Sequence, residues 1–235
     1  MDAMPEEFMK ETCANGAKNI HFLHIGKAAG SQVRYLTSIL NDSQTDWHFI
    51  KHRHRVSLRD LPRKAPFFFS IRRPHTRFVS GFYSRKRKGQ PRLFVDWKPN
   101  EKMAFKRFEH ANDLAEALFS DGARGRKAFD AINAISHTAK MQVAWFPRKG
   151  FFLERDQPMG IIRQENMESD WVRLMARLNI ADPPMPTRDN TLAHTNNYDA
   201  TPPLSDLAIE NLNRWYVQDV EFYKRCEDWI DQQDS

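Results

Sequence analysis

Residues 19–40 read NIHFLHIGKAAGSQVRYLTSIL, and the change of period inside this stretch decides the fold. Residues 19–25 (NIHFLHI) form a short, mostly apolar run closed by small residues, the pattern of a buried strand. Residues 26–31 (GKAAGS) form the turn. From Gln32 onward, Val33, Leu36, Ile39 and Leu40 recur at helical spacing and fall on one face. The stretch is therefore strand, glycine-containing turn, helix. Small residues let main-chain N–H groups close on an anion, and a helix beginning near Ser31 points its positive end at the same place. Lys27 adds a full charge. The order is not that of a Walker A loop, GxxxxGK[ST], where the lysine follows the second glycine; here Lys27 precedes Gly30.

A second strand-turn-helix lies downstream. Residues 66–71 (PFFFSI) read as a strand, Arg72-Arg73-Pro74 as the turn, and Phe78, Val79 and Phe82 recur at helical spacing after it, with Pro74 marking the entry. Arg72 at the strand end suits charge-assisted hydrogen bonds to a phosphate, and Ser80 in the helix adds a hydroxyl donor. His75, Arg77 and the run from Arg85 to Lys88 read as solvated charge, and His21 and His24 as satisfied, partly buried histidines of the first strand. Residues 85–100 look like a basic surface loop. Residues 101–146 look helical, with the Gly122 to Gly125 region separating two helices.

The apolar runs Phe151 to Leu153 and Met159 to Ile162 are candidates to complete the sheet. Residues 165–178 fit a helix with Trp171, Leu174, Met175 and Leu178 inward. DPPMP at 182–186 is a loop, and residues 205–230 read as one long helix opened by a capping serine. Strands alternating with helices predict an α/β, P-loop-like three-layer domain, its central, mainly parallel sheet flanked by helices and its ligands at the carboxyl ends of the strands.

A chain of 235 residues, 40% hydrophobic, is expected to build one core, residues 19–235, after a loosely ordered tail, residues 1–18. Its apolar runs are strand-sized, so no transmembrane segment is expected. The acidic, polar start lacks an export signal, and Cys13 and Cys226 have neither disulfide-framework nor zinc spacing; a cytoplasmic location is expected. The net charge of +6 hides an asymmetry: residues 51–92 hold fourteen Lys or Arg against one acid, Asp60, or +13, while the remainder sums to −7. Such a segment faces solvent or an anionic partner. One function class it raises is a nucleic-acid-binding module with Phe82, Tyr83 and Phe94 interleaved; another is a Mg²⁺-dependent phosphotransferase. Overall balance of acids and bases speaks against the first, and the lack of a convincing metal-carboxylate partner against the second.

Together the two turns resemble the PAPS-dependent sulfotransferases, especially the carbohydrate branch that includes the heparan sulfate 2-O-sulfotransferases. FLHIGKAAGS is similar to the family's 5′-phosphosulfate loop, which implies that Lys27, Ala28, Ala29, Gly30 and Ser31 bind the cosubstrate 3′-phosphoadenosine 5′-phosphosulfate (PAPS). SIRRPHTRFVSGFYS is similar to the 3′-phosphate segment, an Arg-Asp-Pro followed by a serine in the next helix, which implies Arg72 and Ser80. Arg73 stands where that family has Asp, and Ala28 where Thr or Ser is common. IIRQENMESDW and AHTNNYDATPPLSD resemble the family's strand with acidic helix start and its nucleotide-covering loop. HFIKHRHRVSL resembles the family's His-x-His, so His54 is the favoured general base and His52 the second candidate, while Lys27 suits stabilisation of the leaving phosphate. The resemblance implies sulfuryl transfer to a hydroxyl of a carbohydrate, with no metal and no nucleic acid, and the basic loop 85–98 suits an anionic acceptor.

Overall fold

The computed structural model describes residues 16–43, 45–91, 93–187, 198 and 200–233. The expected tail therefore lies almost wholly outside the described residues, as do residues 193–197 and 199 of the loop expected to cover a nucleotide. The chain forms two compact units, one from Met1–Arg72, Gln142–Asn196 and Phe222–Ser235, the other from Arg73–Met141 and Asn197–Glu221.

The first unit carries the sheet. Strands β1 (Lys18–Leu23), β2 (Trp47–Lys51), β3 (Phe67–Ile71) and β4 (Gly160–Arg163) lie in the order β2-β1-β3-β4. Every pairing is parallel, with Ile20 opposite Phe49, Phe22 opposite Phe68 and Phe69 opposite Ile161. All four carboxyl ends therefore lie along one edge. Because side chains alternate across a strand, β3 buries two faces at once. Phe68 joins Phe22, Phe49 and Ile162 under Val33 and Leu36 of α1 (Gly30–Asn41) and Trp171 and Leu174 of the helix Met167–Arg177. Phe69 turns the other way onto Phe146, Phe152 and Phe222. The domain is α/β, a parallel sheet flanked by helices. Each fully buried phenylalanine in it contributes about 1.5–3 kcal/mol.

The second unit is helical: α2 (Pro74–Lys86), α3 (Pro99–Arg107), α4 (Ala111–Ala117), α5 (Gly122–Ala134) and α6 (Ser136–Ala139), then, after Met167–Arg177 (α7) in the first unit, α8 (Asp206–Trp215). A final helix, α9 (Val217–Gln233), begins in this unit and ends in the first. Phe78, Phe82, Leu114, Ile132, Leu212 and Tyr216 belong to its core. Pro74 takes the first turn of α2, where its missing N–H has no partner to lose. Ser205 caps α8, its hydroxyl accepting the Ala208 N–H at 3.2 Å.

Several expectations give way. Strand β2 lies inside the histidine-rich segment, with Phe49 and Ile50 buried. Phe151 to Leu153 falls in a 3₁₀ turn, residues 147–154, and is not a strand. Gly122 opens α5 at φ 69°, so the break between helices lies at residues 118–121. The long helix expected over 205–230 is two, broken at Tyr216, which is fully buried and donates its hydroxyl to the Thr138 carbonyl at 2.7 Å. Among the described residues no helix is long and apolar enough to cross a membrane.

Candidate active site

The turn between β1 and α1 is held in a conformation its residues do not favour. Lys27 has φ 67° and Ala29 φ 56°, both left-handed and neither glycine. That region costs an L-residue about 1–2 kcal/mol, so the surroundings must impose it. One constraint is the Ser70 hydroxyl of the neighbouring strand β3, which donates to the Ala28 carbonyl. Another is the helix start: the Ala29 carbonyl accepts from Gln32 and Val33 at 3.0 and 3.2 Å. With left-handed residues on either side of Ala28 and the first N–H groups of α1 beyond them, the main chain has the form of an anion cradle. Ala28 is buried, Lys27, Ala29 and Ser31 are half-buried, and Gly30 is the first residue of α1.

His54 sits beside this turn. Its ring lies 3.9 Å from the ring of His24, and its Nδ1 is 3.0 Å from the His24 carbonyl. A carbonyl only accepts, so Nδ1 carries the proton of that bond and Nε2 is the basic nitrogen of the neutral ring. The main chain at His54 is fixed by Trp145, whose Nε1 donates to the His54 carbonyl at 2.8 Å. The residue is exposed, as are Arg53 and Arg55 on either side. His52 is placed differently. It is 4% exposed, and its Nε2 meets His21 Nδ1 at 2.8 Å with the rings stacked. Burial lowers the pKa of both rings to about 4, with the mutual repulsion of a charged pair adding to it at His21 and Asp60 opposing it at His52. At neutral pH they form an uncharged structural pair.

Arg72 follows β3 directly and is half-buried. The Gln142 side chain grips its main chain from both sides: the Arg72 N–H donates to Oε1 at 3.0 Å, and Nε2 donates to the Arg72 carbonyl at 2.7 Å. Since β3 pairs with β1, Arg72 and the β1–α1 turn both leave the carboxyl edge of the sheet. The first unit thus brings together Lys27, Ala28, Ala29, Gly30, Ser31 and His54, with Arg72 on the same edge. Ser80 lies on α2 in the second unit, 5% exposed.

Two arginines expected in solvent are interior. Arg77 is 3% exposed and donates through Nη2 to the Lys140 carbonyl at 3.0 Å; burial lowers its pKa, against the pull of Asp219 and Tyr216. Arg85 meets Glu101 as a two-pronged fork at 2.8 and 2.7 Å. Burial raises the Glu101 pKa, but the Arg85 bonds and the N–H groups of Lys98 and Ser136 outweigh it and hold the carboxyl at about 2. Phe82 and Tyr83 are core residues. Arg77, Phe82, Tyr83 and Arg85 are thus turned into the protein rather than displayed along the basic segment, while Phe94 is exposed.

Three residues of the site escaped sequence reasoning in these roles: His24, Ser70 and Gln142. Ser70 had a signal, since a lone hydroxyl in an apolar strand must find a partner. Gln142 had none. In the segment IIRQENMESDW, Arg163 and Asp170 lock β4 to α7, with the Arg163 N–H and guanidinium all bonded to the carboxylate at 2.8–2.9 Å.

A model of the sulfotransferase family matches residues 10–224. No match to a curated protein was found. A match over that span, most of the chain, on a parallel sheet whose first strand runs into a turn and helix, is decisive: the chain belongs to the sulfotransferase family.

Proposed function

We propose that the protein transfers the sulfuryl group of PAPS to a carbohydrate hydroxyl, with the β1–α1 turn as the donor site and His54 as the base. The observation that carries this reading is the left-handed pair Lys27 and Ala29 at the end of β1, beside the exposed His54. PAPS would supply a sulfuryl group attached to a phosphate that leaves once the S–O bond breaks. The donor fits the residues present: the turn offers main-chain N–H groups, Lys27 a charge for the leaving phosphate, and Arg72 a guanidinium suited to a second phosphate. Ser80 joins them on the sequence pattern alone. His54 takes the acceptor's proton at Nε2 while its Nδ1–H stays on the His24 carbonyl, which fixes the tautomer. His52 is withdrawn by its buried bond to His21 and serves structure.

The acceptor class rests on the resemblance to the carbohydrate branch. The exposed Arg53 and Arg55 flanking His54 favour an acceptor that already carries carboxylates or sulfates. The test is transfer of labelled sulfate from PAPS to a panel of uronic-acid glycans, sulfated glycans and neutral oligosaccharides. Label in the anionic glycans, suppressed by salt, is the expected result. Label confined to neutral acceptors or to small alcohols overturns the acceptor assignment.

A further inference from the structure

The donor turn and the base share one neighbour. His24 is the first residue after β1, 6% exposed, and its ring packs on Phe22 at 5.7 Å between centroids. It meets His54 twice, through its ring at 3.9 Å and through its carbonyl, which accepts the His54 Nδ1–H at 3.0 Å. It also meets the turn. A methyl group built on Gly30 would overlap Nε2 and Cδ2 of the His24 ring and lie 2.9 Å from Cε1. Gly30 is therefore required for close approach, since the His24 imidazole occupies the space any Cβ would take at the first residue of α1.

We propose that His24 is a positioning residue, its ring wedged between Gly30 and His54 so that the donor turn and the base are held in one register. This rests on the turn being the donor site and His54 the base. The physical reason is geometric. Sulfuryl transfer needs an in-line arrangement of acceptor oxygen, sulfur and leaving oxygen, and a displacement of about 1 Å in such an arrangement costs up to ~10²-fold in rate. The turn fixes where the leaving oxygen lies, and His54 fixes where the acceptor oxygen loses its proton. A single rigid ring touching both links them mechanically. The role needs no change of charge on His24, only its volume and its carbonyl.

The link predicts suppression. Gly30→Ala forces the turn off the His24 ring, and binding of the desulfated product, 3′-phosphoadenosine 5′-phosphate, should weaken about 10-fold or more. His24→Ala with Gly30→Ala removes the overlap, and product affinity should return to within about threefold of the unsubstituted protein. The double variant still lacks the ring against His54, so kcat should stay down by up to ~10²-fold although binding has recovered. His24→Ala alone should show the same split, near-normal product affinity with a low kcat. Thermal unfolding accompanies each variant. If Gly30→Ala does not fold, recovery of a folded protein in the double variant reports the same contact.

A Gly30→Ala protein that binds product normally, or a double variant no better than Gly30→Ala, overturns the wedge. Full recovery of kcat together with binding overturns the contact to His54. Failure of the unsubstituted protein to bind the product at all overturns the donor-site reading itself, which separates the two.

Discussion

The two strand-to-helix turns on the carboxyl edge look alike in sequence, each a buried strand followed by cationic residues and a helix, yet they are built by opposite means. At the end of β1 the main chain itself is bent, with Lys27 and Ala29 left-handed and the Ala28 carbonyl bonded by the Ser70 hydroxyl. On the proposed reading, anion recognition there would fall to N–H groups, with Lys27 supplementing them. At the end of β3 the main chain is closed off: Gln142 takes both the N–H and the carbonyl of Arg72, so on the proposed reading the guanidinium is the group that would meet a ligand. As donor sites, one turn would bind with backbone and the other with a side chain. The lesson is that a run of basic residues after a strand does not say which of its atoms meet the ligand.

The largest effect is expected at the first turn. Lys27→Ala should lower kcat by about 10²–10³-fold, as loss of one group that stabilises developing charge does elsewhere, with a smaller loss of product affinity because the N–H groups remain. Steady-state kinetics beside product titration measures the two separately; an equal loss in both makes Lys27 a binding group only, and the contrast between the turns weakens. Arg72→Ala should reverse the balance, weakening product binding by about 10–10²-fold, the scale of a charge-assisted hydrogen bond of ~1.5–3 kcal/mol. Unchanged affinity in that variant breaks the comparison.

Gln142→Ala should strand two main-chain groups of Arg72 at a cost of about 1–3 kcal/mol, seen as a lower Tm. Gln142 is fully buried, so water does not readily replace it. If Arg72 depends on this clamp for its aim, product affinity falls in the same variant while Lys27-dependent rate does not. The smallest effect is acid loss of stability through His21 and His52. Their folded pKa values, about 4, lie below the ordinary 6.5, so the folded state binds fewer protons than the unfolded chain. Their contribution is complete above pH 6.5 and is lost as pH falls toward 4, amounting to about 1 kcal/mol per ring by pH 6. Denaturant melts at pH 7.5 and 6 measure it, and His52→Phe should flatten the dependence; an unchanged slope contradicts a neutral buried pair.

The sheet was legible where apolar runs were long enough to carry a period. β1, α1, β3 and α7 stand where the alternation of runs and helical spacing puts them, because those residues bury the faces that the pattern marks. β2 was not, since Trp47–Lys51 is framed by histidines and lysine whose partners, His21 and the main chain of β1, lie some thirty residues away. Three apolar residues at 151–153 have no period to read, and they fold as a 3₁₀ turn. Charge misled for the same reason: Arg77 and Arg85 look solvated until Asp219 and Glu101 are brought to them by tertiary contacts.

Of the candidate site, the sequence offered the residue types but not their conformations. Left-handed Lys27 and Ala29 have no signature, because neither is glycine or asparagine. The separation of His52 from His54 follows from strand alternation only once β2 is recognised: residues two apart share a face, but β2 ends at Lys51, so the two histidines leave the sheet by different routes.

The most direct measurement is isothermal titration of the protein with 3′-phosphoadenosine 5′-phosphate beside ATP, repeated in Lys27→Ala and Arg72→Ala. A donor site at the β1–α1 turn requires product binding selective over ATP, sharply weakened by Arg72→Ala and weakened less by Lys27→Ala. No binding to the folded protein, or binding that neither substitution touches, contradicts it.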